Sequence, residues 1–367
     1  MKKINRHAIL PAAGRLLPLF CLMLALTLVL LPAAQRAAPA SAPAAVAAAA
    51  PSQTAPALSF GKKLIPLGRT TGIKLFSEGT MVVGFSPVAQ SASPAEQAGL
   101  QAGDVILALN GGRITSNESL IAALAGMTER TVALRVRRGA AEREVTFDAV
   151  RDPDGGSWRI GAWVRDSIAG IGTITFVDPD SGAFGALGHG ICDADTGALM
   201  PFGTGAVMAS EVAAVEKGRS GRPGQLTGSF NLSADQGALL CNTEHGIFGT
   251  LTDQSLYGGR EAAETAPKSA IRTGRATILS NVSGTETRAY EVEILRVYDD
   301  GGDGRDLMLR VTDPALLAAT GGIVQGMSGS PIMQDGRLIG AVTHVLVNDP
   351  QRGYGISIQT MLDGFTK

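Results

Sequence analysis

The segment at 326–331, Gly-Met-Ser-Gly-Ser-Pro, carries the residue types needed for nucleophilic chemistry at a carbonyl carbon. Its first serine, Ser328, has glycine at −2 and at +1, so a tight turn can expose the hydroxyl. Gly326 can direct its backbone N–H to the same point as the N–H of Ser328, and two such donors form an oxyanion hole. Gly329 keeps a side chain out of the path of the attacked carbonyl. An ordinary Gly/Ser turn between two strands is the competing interpretation, because short motifs also match by chance.

A serine nucleophile needs a base within hydrogen-bond reach, and the chain has only four histidines. His189 follows an apolar segment and lies between two glycines, so its imidazole can face a cleft at the end of a strand. We predict His189 as the general base, because nucleophile and base are expected at different strand ends. The other three are less well placed: His344, in the middle of a predicted strand, is the second candidate, His245 is typical of a surface turn, and His7 belongs to the leader.

The base in turn needs a group that orients it, and Asp313 is the predicted one. It follows an apolar strand and precedes Pro314, which would fix its turn. The order His189, Asp313, Ser328 along the chain is that of the chymotrypsin-like fold. Turns and helix caps are nevertheless the commoner environment of such aspartates. Three rivals remain open: Asp166, Asp253 and Asp306.

Metal binding is an alternative use of His189, together with Cys192, Asp193 and Asp195. Their spacing matches no four-ligand zinc pattern, so we predict no metal and no cofactor. Cys192 and Cys241 are the only cysteines beyond the leader. They either pair as a disulfide in an exported chain or remain two buried free thiols, with the second alternative favoured.

The elements that must position these side chains are predicted to be mainly β. The chain has 47 Gly among 367 residues and many short runs of Val, Ile and Thr. Over residues 151–367, short strands recur with regular turns and almost no long helical window, which indicates a barrel or a sandwich. The net charge is −1, with Lys and Arg scattered along the chain. A nucleic-acid-binding surface would need a basic stripe, so that class of function is not expected.

The N-terminal part predicts export. Lys2, Lys3, Arg6 and Arg15 precede an apolar stretch at 16–34 that has no charged residue. Residues 1–36 are therefore a cleaved signal peptide or an uncleaved membrane anchor. Residues 37–63 follow as a linker, and its first 21 positions, 37–57, contain only Ala, Pro, Ser, Val, Gln and Thr, a composition that cannot form a core.

Residues 64–150 resemble a PDZ domain. The resemblance is carried by Ser-Pro-Ala at 93–95, Ala-Gly-Leu at 98–100, Gly-Asp-Val-Ile at 103–106 and Asn-Gly at 110–111. In that family an extended peptide adds as a strand beside a groove, and a backbone loop holds its end. Thr71, Gly72 and Ile73 are the best positional match for that loop, although they depart from the usual Gly-Leu-Gly-Phe form. A module that only positions the next domain is the alternative.

The part of the chain after residue 150 contains several stretches that carry a family resemblance: RDS at 165–167 with GIGT at 170–173, ALGHG at 186–190, NT at 242–243 with GIFG at 246–249, GMSGSP at 326–331, and GAVTHV at 340–345 with NDP at 348–350 and GYGI at 353–356. Together they resemble the SpoIVB peptidase family of endospore-forming bacteria. The resemblance implies a mainly β chain in which a PDZ-like α+β domain precedes a trypsin-like double β-barrel at 151–367. It also implies a serine endopeptidase whose triad falls on His189, Asp313 and Ser328.

The same resemblance implies where such a peptidase acts. It is exported across the cytoplasmic membrane into the forespore intermembrane space, where it cleaves a membrane-associated regulator and so releases processing of a sigma factor precursor. It also cleaves its own N-terminal region, and the PDZ domain helps to recognise the target. Two other classes stay open: a non-enzymatic envelope adaptor that binds exposed peptide tails, and a housekeeping envelope protease with broad substrates. Housekeeping enzymes of that kind usually carry the PDZ domain after the protease domain.

Overall fold

The structure, a computed structural model, describes residues 58–152, 156–299 and 304–365. The expected leader at 1–36 and all but the last six residues of the expected linker at 37–63 lie outside these residues. No helix within the described ranges is long and apolar enough to cross a membrane.

The described chain consists mainly of β-strands, as the composition predicts. In order they are β1 (Lys63–Phe85), β2 (Val105–Leu109), β3 (Gly112–Arg113), β4 (Thr131–Arg138), β5 (Ala141–Asp148), β6 (Val150–Arg151), β7 (Trp158–Arg159), β8 (Ala162–Val177), β9 (Ala183–Ala186), β10 (Thr204–Glu216), β11 (Gln225–Thr243), β12 (Gly246–Leu251), β13 (Ala263–Glu264), β14 (Gly274–Ser280), β15 (Arg288–Val297), β16 (Leu307–Val311), β17 (Pro331–Gln334), β18 (Arg337–Leu346) and β19 (Asp349–Ser357). The helices are α1 (Pro94–Gln97), α2 (Asn117–Ala125), α3 (Pro314–Thr320) and α4 (Ile358–Asp363), with short 3₁₀ turns at Gln254–Leu256 and Lys268–Ala270.

Two six-stranded barrels contain most of the described strands. In the first, the pairing runs β10-β11-β12-β9-β8-β1 and returns from β1 to β10, which closes the ring. The second is the closed barrel β14-β15-β16-β19-β18-β17. Each barrel has its own apolar core, and a further cluster that includes Phe176, Phe248 and Ile356 joins them. The predicted double β-barrel is confirmed.

The PDZ-like part is inserted into the first barrel instead of preceding it. β1 pairs with β8 from Ile65↔Val177 to Phe85↔Ala162, so the two strands form one long ribbon. One end of this ribbon belongs to the barrel, and the other belongs to the PDZ-like core, whose buried residues run from Val82 to Ile160. The expected boundary at 64 therefore falls inside a barrel strand, because β1 runs without a break from the barrel into the PDZ-like part.

Local sequence signals explain the PDZ-like elements. The predicted Asn-Gly turn joins β2 to β3, and Asn110 and Gly111 both have positive φ, +49° and +80°. Ser93 caps α1, which has Pro94 in its first turn. Ser116 caps α2 in a reciprocal arrangement with Ser119. These local signals explain where the two helices begin and where the turn between β2 and β3 lies.

Candidate active site

Ser328 and His189 line the same cavity, about 410 Å³ in volume, at the junction of the two barrels. His189 comes from the turn after β9 of the first barrel, and Ser328 comes from the turn before β17 of the second. The structure therefore brings together the predicted nucleophile and the predicted base across 139 positions of sequence. The rest of the wall is mostly aliphatic or glycine: Ile73, Ile168, Gly170, Ile171, Leu187, Gly190, Ile191, Ile323, Val324, Gly326 and Val345, with Cys192, Gln325, Thr343 and His344.

The turn that contains Ser328 requires glycine both for its backbone conformation and for its close contact with the first barrel. Gly326 and Gly329 have φ of +97° and +95°, values that favour glycine. A Cβ on Gly329 would lie 2.1 Å from the carbonyl oxygen of Thr173 and 2.6 Å from the N of Leu187. Gly329 is thus required by backbone contact with the first barrel, and not only by the space that a substrate needs.

The backbone N–H groups proposed as oxyanion donors have no competing acceptor. Neither the N–H of Gly326 nor that of Ser328 donates to another group among the described residues. Their neighbours are engaged: Met327 N–H donates to Val324, and Gly329 N–H donates to Val342. A developing oxyanion could therefore be bound by these two groups without breaking an internal hydrogen bond.

The hydroxyl of Ser328 donates to the carbonyl oxygen of Thr343, 2.7 Å away. Thr343 lies in β18, the strand that also carries His344. Because a hydroxyl proton serves one acceptor at a time, the Ser328 side chain must turn its proton from Thr343 to a base before it attacks. The sequence does not show this contact, since it depends on a backbone carbonyl and on the register of β18.

His189 is oriented by its own backbone. Its Nδ1 lies 2.9 Å from the carbonyl oxygen of Gly190, and a carbonyl can only accept, so Nδ1 carries the proton and Nε2 has the free lone pair. Leu187 and Gly188 precede it with φ of +68° and +72°, which turns the chain sharply at the end of β9. Burial lowers the pKa of His189 below its ordinary value, and the hydrogen bond to Gly190 only partly opposes this effect.

This lowered pKa predicts the pH dependence of any reaction that uses His189 as a base. A base must be unprotonated, and an unperturbed histidine titrates near pH 6.5. We therefore expect kcat/KM to fall on the acidic side with a midpoint below about pH 6.5 and to stay level through neutral pH. A pH profile with a short peptide substrate measures this midpoint, and a value at or above 7 would contradict the assignment.

His344 lies beside His189, with ring centroids 5.0 Å apart and planes inclined by 36°. It is exposed on β18 and lines the same cavity. His344 is the second candidate base from the sequence, and both imidazoles line one cavity. His245, in contrast, lies in the turn between β11 and β12 and does not line the cavity.

Among the described residues, Asp313 neither lines the cavity nor hydrogen-bonds to His189. Its Oδ1 accepts from the N–H groups of Ala315 and Leu316 at 2.8 and 3.0 Å, and its Oδ2 accepts from that of Glu291 at 3.3 Å. It is the N-cap of α3, which explains why an aspartate precedes Pro314 there. The predicted role of Asp313 in orienting His189 is not supported by this arrangement.

The rival aspartates are also engaged elsewhere. Asp166 accepts from the N–H of Asn117 at the start of α2, and Asp253 caps a 3₁₀ turn. Asp306 is buried against Lys268 and the N–H of Ser357. Among the described residues, no Asp or Glu lines the cavity. The group that orients His189 is therefore the Gly190 carbonyl.

Substitution of Asp313 separates capping from catalysis. We expect Asp313→Asn, which keeps a capping oxygen, to unfold at nearly the same temperature as the wild type. Asp313→Ala should lose about 1 kcal/mol in free energy of unfolding. Both should keep kcat/KM within about tenfold of the wild type. Thermal unfolding and steady-state kinetics measure the two effects. A fall of roughly 10⁴-fold in kcat for Asp313→Asn is the result expected for a triad acid, and it would identify Asp313 as the acid that orients His189.

The alternative metal site at His189 is not assembled. Asp193 is buried and accepts from the N–H groups of Asp195 and Thr196, and it pairs with Arg165. Within the described ranges, no three His, Cys, Asp or Glu side chains form a group that could hold a metal ion.

The two cysteines are free thiols. Cys192 is exposed and Cys241 is partly buried, so the expectation that both are buried was wrong. Burial raises the pKa of Cys241 to about 11, and burial with the nearby Glu244 raises that of Cys192. Neither thiol is thus activated as a nucleophile.

The residues predicted to hold a PDZ-bound peptide belong to the first barrel. Gly72 and Ile73 pair with β8 on one edge of β1 and with Met208 and Val207 of β10 on the other. Thr71 is buried, and its hydroxyl donates a hydrogen bond to the backbone carbonyl oxygen of Met208. A strand with both edges paired cannot accept an added peptide, so this assignment was wrong. Ile73 instead lines the cavity that contains Ser328.

An open groove lies elsewhere in the PDZ-like part, between α2 and the start of β8. This groove has a volume of about 510 Å³, and two large apolar side chains on its wall are exposed, Ile121 at 65% and Trp163 at 63%. The segment 162–164 pairs with β1 on one edge, and no described strand pairs with its other edge. A free strand edge beside a helix is the arrangement in which PDZ domains add a peptide strand.

Ile121 should contribute to peptide binding in this groove. We expect Ile121→Asp to weaken binding of a peptide with an aliphatic C-terminal tail by at least about tenfold, because apolar contact is lost and a charge must be desolvated. Cleavage of a short peptide substrate should not change. Ala122→Asp is the matched control, since Ala122 is exposed on the same helix and does not line the groove. Fluorescence anisotropy measures the affinities, and equal binding by both variants would argue against the groove.

Comparison with known proteins identifies both parts of the chain. The family model "SpoIVB peptidase S55" matches residues 156–362, and a PDZ domain model matches residues 86–138. No curated protein matches the chain. Among solved structures, the PDZ domain of an SdrC-like protein from Listeria monocytogenes is 20% identical, covers 24% of this chain and 87% of that one, and gives a TM-score of 0.20.

The Rv3671c protease of M. tuberculosis is a second structural relative. Its inactive form is 14% identical, with 53% of this chain and 83% of that chain covered and a TM-score of 0.32. Its active form is 15% identical, with 55% and 74% covered and a TM-score of 0.31. These structural likenesses are distant, and the family assignment depends on the S55 match.

Proposed function

The chain belongs to the SpoIVB peptidase S55 family and is a serine peptidase, and on that premise we propose that it is an exported endopeptidase of sporulation. The observation that supports this proposal is that Ser328 and His189 line one cavity at the junction of the two barrels. A hydroxyl nucleophile and a neutral imidazole in one site are the pair of groups that acyl transfer requires.

The proposed reaction uses these groups in two steps. Ser328 Oγ attacks the peptide carbonyl and forms the C–O bond while Nε2 of His189 takes the hydroxyl proton. The N–H groups of Gly326 and Ser328 bind the oxyanion, and the protonated His189 then gives its proton to the leaving amine as the C–N bond breaks. Water attacks the acyl-enzyme by the same route in reverse, with His189 again as base, and the carboxylate product leaves.

The cavity lining indicates the side chains that the substrate carries near the cleaved bond. Ile323, Val324 and Val345 lie on the same barrel as Ser328, and Ile73 and Ile171 lie on the opposite barrel. No Asp, Glu, Lys or Arg among the described residues lines this wall. A charged substrate side chain would lose its hydration here without gaining a partner, so we propose that the peptidase cleaves next to aliphatic residues.

Quenched fluorescent peptides test this preference. We expect a peptide with Val or Leu before the cleaved bond to have a kcat/KM at least about tenfold above that of the same peptide with Asp or Lys there, since about one buried aliphatic side chain distinguishes them. Equal cleavage of the charged peptides would contradict the proposed specificity, and cleavage of no peptide at all would count against the peptidase assignment itself.

The biological setting proposed for this activity is the forespore intermembrane space. There the enzyme would cleave a membrane-associated regulator and its own N-terminal region, and so trigger processing of a sigma factor precursor. The test compares wild-type and Ser328→Ala full-length chains in an endospore-forming host. We expect the variant to accumulate at full length and the precursor to stay unprocessed. Shortening of the variant when it is the only copy would show that another protease performs the cleavage.

A non-enzymatic adaptor is the second candidate, and the exposed groove with Ile121 and Trp163 favours it. An adaptor would bind peptide tails equally well with and without the Ser328 hydroxyl. In that case a host that carries only the Ser328→Ala variant would still process the sigma factor precursor. Loss of processing in that variant with unchanged peptide binding would support the peptidase.

A further inference from the structure

Thr173 is a buried residue of the first barrel that contacts the nucleophile turn of the second. It lies in β8 and its side chain is fully buried. Its backbone N–H donates to the carbonyl oxygen of Ser328 at 3.1 Å, and its hydroxyl donates to the carbonyl oxygen of Gly326 at 2.8 Å. A single residue therefore holds the two carbonyl groups on either side of Met327.

These contacts determine which way the turn faces. Gly326 has a φ of +97°, and glycine can leave that conformation at little cost. Hydrogen bonds to the carbonyls of Gly326 and Ser328 hold the 326–327 and 328–329 peptide units. These two units flank the 327–328 unit, which carries the Ser328 N–H, and so limit the directions that this N–H can take. The close approach of Gly329 to the carbonyl of Thr173 brings the turn and β8 into backbone contact.

We propose that Thr173 is a positioning residue for the peptidase reaction, and that its hydroxyl holds the oxyanion-binding turn in the conformation that directs both N–H groups into the cavity. This inference rests on the proposed function. Thr173 does not line the cavity and touches no substrate, so it acts only through Gly326 and Ser328.

The kinetic consequence follows from the role of the turn. Oxyanion donors interact more strongly with the transition state than with the bound substrate, so a displaced turn lowers kcat and leaves KM nearly unchanged. Loss of one such donor costs 10²- to 10³-fold in a well-studied hydrolase, and loss of the contact that positions it is expected to cost less.

Thr175 offers a matched control. It lies two residues further along β8, is also buried, and its hydroxyl makes no hydrogen bond within the described residues. Replacing either threonine by valine removes one hydroxyl and keeps the shape of the side chain. The two substitutions differ in whether that hydroxyl holds the nucleophile turn.

The experiment compares Thr173→Val, Thr173→Ser and Thr175→Val with the wild-type full chain, using one aliphatic quenched peptide at a temperature where all four are folded. We expect Thr173→Val to lower kcat about tenfold to a hundredfold with KM within about threefold, and Thr173→Ser to restore most of the rate. Thr175→Val should have the same kcat and KM as the wild type.

Two results would overturn the inference: a kcat for Thr173→Val equal to that of Thr175→Val, or a loss in Thr173→Ser as large as in Thr173→Val. The first shows that the hydroxyl has no role, and the second shows that only packing matters. A wild-type chain without cleavage would instead overturn the proposed function, and the inference with it.

Discussion

Replacement of Ser328 by alanine is expected to abolish peptide cleavage, with kcat falling roughly a millionfold. The hydroxyl is the only protein group in the proposed mechanism that forms a bond to the substrate carbonyl, and no other serine among the described residues lines the cavity. The substitution removes one hydrogen bond, to Thr343, so the fold should be retained. Steady-state cleavage of an aliphatic quenched peptide measures the loss, and circular dichroism checks the fold.

Ser330→Ala is the matched control for this substitution. Ser330 lies two residues later in the same segment, but it is buried and its hydroxyl lies 3.1 Å from that of Ser280. We expect this variant to lose about 1 kcal/mol of stability and to cleave at close to the wild-type rate. If Ser328→Ala kept its activity while Ser330→Ala lost it, the nucleophile would have been assigned to the wrong serine.

Replacement of His189 by glutamine is expected to have the second largest effect, a loss in kcat of at least about 10⁴. Glutamine can keep a hydrogen bond to the Gly190 carbonyl, but it cannot take the proton of Ser328. The remaining rate should no longer show the acidic midpoint that the lowered pKa of His189 predicts. Kinetics between pH 5 and 8 would measure both effects.

The other histidines serve as comparisons for His189. His245→Gln changes a residue outside the cavity, and we expect its activity to equal that of the wild type. His344→Gln should lower the rate by a smaller factor than His189→Gln, because His344 is exposed at the border of the site, whereas His189 is the predicted base. Full activity in His189→Gln together with complete loss in His344→Gln would identify His344 as the base.

The sequence predicted the architecture well where local signals agree with tertiary structure. The short strands expected to recur over residues 151–367 are a local feature, and the structure has strands throughout that range. The Asn-Gly pair at 110–111, which carries part of the PDZ resemblance, forms the turn between β2 and β3. The cavity shared by His189 and Ser328 was also predictable, because a strand-end histidine between glycines and a serine in a glycine turn are both recognisable from neighbouring residues.

The features that the sequence did not reveal depend on long-range pairing. Thr71–Ile73 look like a peptide-binding loop, but β1 is a single strand of 23 residues whose middle is paired on both edges. No local signal shows that a PDZ-like unit is inserted within a barrel hairpin. Thr173 and Gly326 are 153 positions apart, and no pattern of neighbouring residues predicts the hydrogen bond between them.

Asp313 shows how one residue type can serve two roles. An aspartate before proline at the end of a strand fits a triad acid in chain order, and it also fits a helix N-cap. The structure has the second arrangement, with three backbone N–H groups donating to the carboxylate. Distinguishing the two from sequence would have required recognising Pro-Ala-Leu-Leu-Ala-Ala-Thr at 314–320 as a helix, which its seven residues make difficult.

Covalent labelling shows whether Ser328 is an activated nucleophile. The full-length chain would be treated with a fluorophosphonate, digested and analysed by mass spectrometry, with His189→Gln treated in parallel. We predict an adduct on Ser328 in the wild type and at least a hundredfold slower labelling in the variant, since only an activated serine reacts readily. A wild-type chain with no adduct, or with an adduct on another serine while Ser328 stays unmodified, would show that Ser328 is not the activated nucleophile.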